Sequence, residues 1–313
     1  MEVLYFFESI RNPFLDALMS ILTFLGSEVG FLAFAIAFYW CVDKKRGYYI
    51  MSVGFLGVIV NQVMKILFMI PRPWVLDPEF TVVDGAKEDA GGYSFPSGHT
   101  QNSTGTFGAI LRFTKKNWLR IMCSAFILIV PITRMYLGVH TPLDVGVSLL
   151  IGGVIVLALY PVFELTRKNE KYMYILLGSF FAVTVAFALF AFLYVFPSDV
   201  DQENLYELRK NACTLLGAVG GVLAIYPIET NFIKFNTKAS LPIQILKLVV
   251  GLATVIGIKE GLKKLFVIIG GGDEVLWMRS LRYFVIVAFA MGVFPLLFKL
   301  FAKLEKSNKG AQN

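Results

Sequence analysis

Long apolar segments without charge restrict the fold of this chain more than any other feature. Tyr172–Phe196 holds 25 residues without a charged side chain, and Ala212–Ile228 holds 17. A helix that crosses a membrane needs about 20 such residues. Hydrophobic types form 57% of the 313 residues and charged types only 16%, whereas a soluble domain carries about a quarter charged residues. The chain is therefore predicted to be an all-α, polytopic membrane protein.

About nine transmembrane helices are expected. They lie roughly at 17–41, 48–70, 98–113, 118–138, 143–163, 172–196, 211–229, 241–258 and 281–301. The third is short and begins directly after a Pro-Ser-Gly-His sequence. The unusual chemistry lies before residue 166. We therefore predict a catalytic helical core with an N-terminal interfacial helix at 1–166, and a four-span extension of unknown role at 167–313.

Basic residues are unevenly distributed among the predicted loops. If the N-terminus lies outside, the inner segments hold 16 lysines and arginines and the outer segments nine, as the positive-inside rule expects. This predicts an outer N-terminus and a cytoplasmic C-terminus, and it accounts for the net charge of +7 without nucleic-acid binding. The segment 259–279 is too basic for an outer loop, so it is either a partly buried or interfacial helix, or a sign that one of the last spans is misplaced.

The N-terminal segment and the cysteines point to no further site. Met1–Leu15 has the pattern of a short amphipathic helix at the membrane surface, and we recognise no cleavable signal peptide there. Cys41, Cys123 and Cys213 lie far apart, each in or beside an apolar run. This spacing fits neither a zinc site nor a disulfide framework, so the cysteines are predicted to pack in the core.

Six ionisable residues stand out, because a charge inside a membrane protein is costly and is often functional. Under the predicted topology they lie at one membrane face: Lys65, Arg72, His99, Arg134, His140 and Asp144. His99 and His140 are the only histidines in the chain. Their gathering at the outer ends of several spans predicts a functional site there.

Pro96-Ser97-Gly98-His99 precedes the third predicted span. Ser97 can cap the helix, Gly98 allows a ligand to approach the backbone, and the N–H groups at a helix start attract anions. By itself, the motif is also what an ordinary turn from loop to helix would show.

His140 stands directly before Thr141-Pro142-Leu143-Asp144, at the start of the fifth span. Threonine, proline and aspartate in this order make a good helix start by themselves. The short separation also lets the Asp144 carboxylate reach one ring nitrogen of His140. The other nitrogen is then free to attack an electrophile, as in a nucleophile triad.

Six residues separate Lys65 from Arg72, and Pro71 breaks the helix between them. Both cations can then turn toward one point, where an arginine fork and a lysine point charge suit a phosphoryl group. The alternative is a pair that extends to lipid headgroups. Asn61 lies one helical turn before Lys65 and is a candidate to support it.

Taken together, Lys65-x6-Arg72-Pro73, Pro96-Ser97-Gly98-His99 and Thr133-Arg134-x5-His140-x3-Asp144 resemble the three-part signature of the type 2 phosphatidic acid phosphatase superfamily. This superfamily includes lipid phosphate phosphatases, undecaprenyl pyrophosphate phosphatases, sphingosine phosphate phosphatases, glucose-6-phosphatase and the vanadium-dependent haloperoxidases. The resemblance covers roughly residues 17–166, and the order and spacing of its motifs agree with the membrane context. Thr133 stands where many members have serine, and it keeps the hydroxyl.

The resemblance implies a role for each site residue. His140 forms a phosphohistidine, Asp144 orients His140, and His99 protonates the leaving oxygen and then activates water. The phosphoryl oxygens are bound by Lys65, Arg72, Arg134, Ser97 and Gly98. Such charge stabilisation is the main requirement of phosphoryl transfer. The sequence holds no cluster of Asp, Glu, His and Cys with metal-ligand spacing, so we expect a metal-independent hydrolase without a cofactor.

The expected substrate is an amphiphilic phosphate ester or pyrophosphate that enters from the surrounding membrane lipids. We expect a bacterial plasma membrane, with the site facing outward. One alternative is a glucose-6-phosphatase-like hydrolase of a soluble sugar phosphate, since fold analogy does not decide the substrate. Another is a transporter that retains a phosphate-binding cage. The last four spans are open to three roles: a lateral wall for a long lipid, a homodimer interface or a second activity.

Overall fold

The computed structural model describes residues 1–88, 90–270 and 275–298, and every regular element among them is helical. The α-helices are α1 (Glu2–Ser9), α2 (Pro13–Thr23), α3 (Glu28–Cys41), α4 (Lys44–Phe68), α5 (Pro73–Leu76), α6 (Gly98–Phe113), α7 (Asn117–Tyr136), α8 (Pro142–Lys168), α9 (Lys171–Leu193), α10 (Gln202–Ile228), α11 (Leu241–Ile269), α12 (Leu276–Ala288) and α13 (Phe294–Leu296). A 3₁₀ turn at Phe24–Gly26 follows α2, and π turns at Glu229–Ile233 and Phe289–Val293 follow α10 and α12. The predicted all-α class is confirmed.

Seven helices in the described residues are long and apolar enough to cross a membrane. They are Lys44–Leu76, Asn117–Tyr136, Pro142–Lys168, Lys171–Leu193, Gln202–Ile233, Leu241–Ile269 and Leu276–Leu296. An eighth is possible if Pro13–Gly26 and Glu28–Cys41, which meet at an angle of 52°, form one broken span. The chain is an integral membrane protein, but the expected count of about nine is not confirmed.

The main difference from the expected count concerns α6. This helix has 16 residues and is about 24 Å long, shorter than the hydrocarbon core of about 30 Å. It is also rich in polar side chains that are buried in the protein, and Gln101 and Thr104 donate hydrogen bonds to the carbonyl oxygens of Gly57 and Thr100 at 2.7 Å each. Hydrogen bonds within the protein therefore satisfy polar side chains of α6 that would have no partner in lipid.

The first part of the basic segment 259–279 belongs to α11. This helix continues to Ile269, eleven residues beyond the predicted end at 258, and its 29 residues extend over about 43 Å. Lys259, Lys263 and Lys264 therefore lie in one continuous helix that is longer than the hydrocarbon core. Residues 271–274 and the segment 299–313 lie outside the described residues.

The chain divides into two compact units. The first comprises residues 1–34, 49–164 and 194–208, and the second comprises 35–48, 165–193 and 209–313. In the first unit α6 packs against α7. The functional division predicted near residue 166 stays a prediction.

The N-terminal helices of the first unit brace the loop that follows α5. Leu4 is completely buried, and the Tyr5 hydroxyl donates to the Asp77 carboxylate at 2.7 Å. Arg11 donates to the carbonyl oxygens of Thr81 and Tyr136 at 3.0 and 3.1 Å. α1 therefore contacts protein through one face, and its placement at the membrane surface stays a prediction.

The second unit is built around buried aromatic rings and one buried ion pair. Trp40 packs against the Phe294 ring at 4.7 Å and donates to the carbonyl oxygen of Ala290 at 2.8 Å. Lys44 pairs with Glu229, whose carboxylate is 2% exposed. All three cysteines are free, and two of them are buried.

Candidate active site

The cations of the first motif converge on the loop that precedes α6. Lys65 lies in the last turn of α4 and donates a hydrogen bond to the carbonyl oxygen of Tyr93. The helix ends at Phe68, and Met69 has a positive φ of 47°. The helix is therefore interrupted after Lys65, and Arg72, beyond the interruption, donates to the same loop.

Arg72 is 6% exposed and holds the backbone of two separate segments. Its guanidinium donates to the carbonyl oxygens of Gly91, Gly92 and Val139 at 2.9, 2.8 and 2.9 Å. Its Nη1 also lies 3.0 Å from Nε2 of His140. A guanidinium can only donate. The same Nη1 lies 3.5 Å from Nδ1, so we assign the nearer nitrogen, Nε2, as the acceptor with the lone pair and place the proton of the neutral ring on Nδ1.

The second ring nitrogen of His140 lies near a carboxylate. Nδ1 lies 3.5 Å from Oδ2 of Asp144. The same carboxylate oxygen accepts hydrogen bonds from Ser94 Oγ at 2.6 Å and from the Thr141 N–H at 2.7 Å. Two donors thus hold the carboxylate beside the ring, where it can stabilise positive charge on the imidazole.

Asp144 also performs the structural role that its motif predicted. Its N–H donates to the Thr141 hydroxyl at 3.3 Å, while its carboxylate accepts from the Thr141 N–H. This reciprocal pair is a helix-capping arrangement at the start of α8. The two interpretations of the motif are therefore compatible, because one carboxylate oxygen serves both the cap and the histidine.

The His140 imidazole lies between the ends of α7 and α8 and is 2% exposed. Burial lowers its pKa well below the usual value of 6.5, because the protonated ring loses its hydration. Positive neighbours lower this pKa further, and they are Arg72, Arg134, Lys65 and His99. The ring is therefore neutral near pH 7, as a nucleophile requires.

The second motif forms the helix start that its sequence predicted. Ser97 Oγ accepts the Thr100 N–H at 3.4 Å, and α6 begins at Gly98. The Ser97 N–H donates to the Asp144 carbonyl oxygen at 3.3 Å, which joins the second motif to the third. The N-terminus of α6 thus lies beside the start of α8.

Asn61 supports this second motif. Its side-chain amide donates to the Pro96 carbonyl oxygen and to Gln101 Oε1, both at 3.1 Å. Asn61 Oδ1 lies 3.8 Å from the position that a Cβ on Gly98 would occupy. The suggested support of Lys65 by Asn61 stays a prediction.

Arg134 joins the site from the last turn of α7. The side chain is 1% exposed, and its Nη1 donates to the Thr23 hydroxyl at 3.1 Å. The neighbouring Thr133 hydroxyl donates to the Val130 carbonyl oxygen of its own helix at 2.7 Å. The Thr133 hydroxyl is therefore hydrogen-bonded within α7, whereas Arg134 is hydrogen-bonded to the last residue of α2.

The turn after α2 packs directly on the second motif. A Cβ on Gly26 would lie 2.5 Å from the carbonyl oxygen of His99 and 2.8 Å from a methyl carbon of Val130. A side chain at residue 26 would therefore displace the backbone that carries His99.

Sequence reasoning did not identify all of the residues around this site. Ser94 is completely buried and bonds Asp144, although it lies only two residues before the predicted Pro96-Ser97-Gly98-His99 motif. Gly91 and Gly92 contribute carbonyl oxygens, which no side-chain pattern reveals. Asn204 accepts a hydrogen bond from the Tyr93 N–H, although 111 residues separate the two in sequence.

Within residues 1–88, 90–270 and 275–298, no three His, Cys, Asp or Glu side chains are grouped so that they could hold a metal ion.

Comparison with known proteins gives two family matches. Residues 46–168 match the model of the PAP2 superfamily, and residues 213–307 match the model described as the transmembrane extension of PAP2 superfamily phosphatases. The first match contains all eight predicted site residues. Together the two models cover more than half of the chain.

Several curated proteins are similar to this chain. Sphingosine-1-phosphate phosphatase 2 of Mus musculus is 26% identical over 75% of this chain and 65% of its own length. Lipid A 4'-phosphatase of Bacteroides thetaiotaomicron is 29% identical over 49% of this chain and 71% of its own length. Undecaprenyl-diphosphatase BcrC of Bacillus subtilis is 28% identical over 47% and 74%. With its three motifs and both family matches, the chain belongs to the PAP2 superfamily and carries that superfamily's transmembrane extension.

Proposed function

We propose that this protein is a membrane phosphatase that hydrolyses a lipid phosphate or lipid pyrophosphate through a phosphohistidine on His140. The observation that carries the proposal is the orientation of this ring. Its Nε2 is the nitrogen that carries the lone pair, 3.0 Å from the Arg72 guanidinium, and its Nδ1 lies 3.5 Å from the Asp144 carboxylate. The lone pair thus faces a cation that can bind a phosphoryl oxygen.

In the first step Nε2 of His140 attacks phosphorus and the bond from phosphorus to the leaving oxygen breaks. His99 gives a proton to that oxygen, so that a lipid alcohol, or a lipid monophosphate in the case of a pyrophosphate, leaves. The imidazole becomes positively charged, and Asp144 stabilises this charge.

In the second step His99 removes a proton from water, and the water oxygen attacks the phosphohistidine. The bond from phosphorus to Nε2 breaks, inorganic phosphate is released, and His140 returns to its neutral form. One group thus serves as the acid in the first step and as the base in the second.

Cations and N–H groups stabilise the charge on the phosphoryl oxygens in both steps. The groups assigned to this role are Lys65, Arg72, Arg134, the Ser97 hydroxyl and the N–H of Gly98. Lys65, Arg72 and Arg134 act electrostatically on His140 in the structure. Three fixed cations supply the stabilisation that a metal supplies elsewhere, so we propose that the reaction is metal-independent.

A lipid substrate is proposed on two grounds. Seven helices among the described residues, or eight if the bent pair is one span, are long and apolar enough to cross a membrane, and each relative named above carries the name of a lipid phosphatase or diphosphatase. The unequal distribution of lysine and arginine favours a site that faces away from the cytoplasm in a plasma membrane.

The test is phosphate release by the purified protein in detergent with excess EDTA. The substrates are sphingosine phosphate, phosphatidate, a polyprenyl pyrophosphate and glucose 6-phosphate, each measured with wild type and with His140→Ala. Release from a lipid that depends on His140 is expected. Preference for glucose 6-phosphate would refute the lipid substrate, and a loss of activity in EDTA that Mg²⁺ restores would refute metal independence. No release by a folded protein would favour a transporter.

A second measurement addresses the phosphohistidine itself. Substrate labelled with radioactive phosphate is mixed with enzyme, and the protein is denatured in alkali, where a phosphohistidine is stable. Label is expected on wild type and absent from His140→Ala. Label on both variants would assign the covalent step to another residue.

A further inference from the structure

Three backbone carbonyl groups in the loop 91–93 determine where two cations of the site point. Arg72 donates to the carbonyl oxygens of Gly91 and Gly92 at 2.9 and 2.8 Å. Lys65 donates to the carbonyl oxygen of Tyr93. Any shift of this loop therefore moves both cationic side chains.

The loop is held by a residue from the later half of the chain. Asn204 is 8% exposed, and its Oδ1 accepts the backbone N–H of Tyr93. The same oxygen lies 2.8 Å from the position that a Cβ on Gly92 would occupy, and Gly92 has a φ of 75°. Glycine is suited to this backbone conformation, and here it also makes room for the Asn204 amide.

Asn204 is itself fixed in the first turn of α10. Its backbone N–H and its side-chain Nδ2 both donate to Asp201 Oδ1 at 3.0 Å. The Asp201 N–H in turn donates to the Tyr93 hydroxyl at 3.2 Å. The start of α10 and Tyr93 are thus joined through both the backbone and the side chain of Tyr93.

On the basis of the proposed phosphatase activity, we propose that Asn204 is a positioning residue for the phosphoryl site. It holds the loop 91–93 so that Lys65 and Arg72 point to one oxyanion. A role for a segment beyond residue 166 follows: the start of α10 completes the support of cations that lie in the first half of the chain.

The test compares Asn204→Ala with Asn12→Ala, which removes an asparagine that caps α2 in the same unit through the Leu15 N–H. Loss of one hydrogen bond to the loop is expected to weaken vanadate binding by about tenfold and to lower kcat by at least as much. Asn12→Ala is expected to change neither by more than about twofold. If Asn204→Ala does not fold, Asn204→Leu, which nearly keeps the size of the side chain but has no acceptor, takes its place.

Wild-type vanadate affinity and kcat in the folded Asn204 variant would overturn the proposal. So would an equal loss in both asparagine variants, because that result indicates a general loss of stability. Vanadate binding also separates this proposal from the proposed function. If wild type releases no phosphate, the function fails, but the affinity difference still tests Asn204.

An independent observation concerns a groove between α6, α7 and α8, near the end of α6 that lies away from His99. Its volume is about 530 Å³, within the range of about 300–1,000 Å³ for ligand pockets. Apolar side chains from all three helices line it: Leu111, Ile127, Val156 and Leu157. A Cβ placed on Gly153 would have no neighbouring atom within 4 Å, so this glycine borders open space.

Two arginines line the same groove where α6 ends and α7 begins. Arg112 lies one residue before the end of α6, with its guanidinium 4.0 Å above the Tyr160 ring, and Arg120 lies in the first turn of α7. Guanidinium groups suit the oxygens of a phosphate. Arg112 is separated from His99 by 13 residues of α6, which is about 20 Å along the helix.

We infer that this groove binds an anionic phospholipid. The headgroup phosphate lies on Arg112 and Arg120, and an acyl chain lies along the apolar wall past Gly153. Basic pockets between transmembrane helices are established sites for such headgroups. The site takes a phosphodiester as a bound lipid and is separate from the hydrolytic site.

Native mass spectrometry of the delipidated protein in detergent tests this inference. Phosphatidylglycerol is compared with phosphatidylcholine and with soluble glycerol phosphate. The double variant Arg112→Gln/Arg120→Gln is matched by Lys115→Gln/Lys116→Gln, which removes the same charge from the same α6–α7 region without altering the lining. Gly153→Leu fills the groove without a change of charge.

Preferential binding of phosphatidylglycerol is expected, with affinity about tenfold lower in the arginine double variant and in Gly153→Leu, and within about twofold of wild type in the lysine double variant. Equal losses in the two double variants would indicate nonspecific surface attraction and overturn the site. Equal binding of both lipids, or glycerol phosphate binding as tight as that of the lipid, would also overturn it.

Discussion

Replacing Asp144 with asparagine removes one negative charge but preserves the hydrogen bonds of the side chain. The carboxylate oxygen that faces His140 also accepts from Ser94 and from the Thr141 N–H. An amide oxygen in the same place accepts from both. Asp144→Asn therefore isolates the effect of the charge from the effect of the cap.

The structure provides a magnitude for this charge. The carboxylate oxygen lies 3.5 Å from Nδ1 of His140. Two unit charges at that distance interact by about 5 kcal/mol at an effective dielectric constant of about 20, and about 1.4 kcal/mol corresponds to tenfold in rate. Because positive charge develops on the ring as Nε2 attacks phosphorus, kcat is expected to fall by about 3,000-fold, with little change in KM.

The assay is steady-state phosphate release from the best lipid substrate, with thermal unfolding as a check on folding. Asp43→Asn is the matched control, since Asp43 also accepts a backbone N–H at a helix start, from Arg46 at 3.1 Å. The control is expected to keep kcat within about twofold. A folded Asp144→Asn enzyme with kcat within tenfold of wild type would show that the carboxylate does not stabilise the charged ring.

Three further predictions concern the same site. Ser94→Ala removes the 2.6 Å hydrogen bond to Asp144 and is expected to lower kcat by about 10–100-fold; an unchanged kcat contradicts this role. The His140 pKa lies well below 6.5, so the neutral, nucleophilic ring is lost only when pH falls through that lower value. The acid limb of the kcat/KM profile is therefore expected below pH 6.5. An acid limb centred above pH 6.5 contradicts the assignment of His140 as the nucleophile. Gly26→Ala places a carbon 2.5 Å from the His99 carbonyl oxygen, and overpacking of about 1–3 kcal/mol is expected to lower both Tm and kcat; an unchanged Tm excludes this contact.

Much of this protein is predictable from local patterns. Uncharged apolar runs predict an all-helical membrane protein, because no other short segment satisfies its own backbone in lipid. The helix starts at Ser97 and Thr141 follow from capping chemistry that acts within four residues. The three motifs also predict the family, which the two model matches confirm.

The span count shows where such patterns fail. A hydropathy pattern treats each apolar run as one crossing, but α6 is short, polar and buried among other helices, and the first expected span is a bent pair. Whether a helix faces lipid or protein depends on its neighbours, and its own residues do not encode them. The length of α11 was missed for a related reason, because three lysines at its end do not stop a helix that extends beyond the hydrocarbon core.

The sequence alone determined which chemical groups this protein has available: two histidines, three cations and one carboxylate in recognisable order, on helices whose starts are encoded locally. Only the tertiary structure decided how these groups are held. Ser94 beside Asp144, the carbonyl oxygens that orient Arg72 and Lys65, and the contact of Asn204 with Tyr93 join segments up to 111 residues apart. Packing brings such groups together by burying apolar surface on many helices at once, and a local pattern cannot anticipate it.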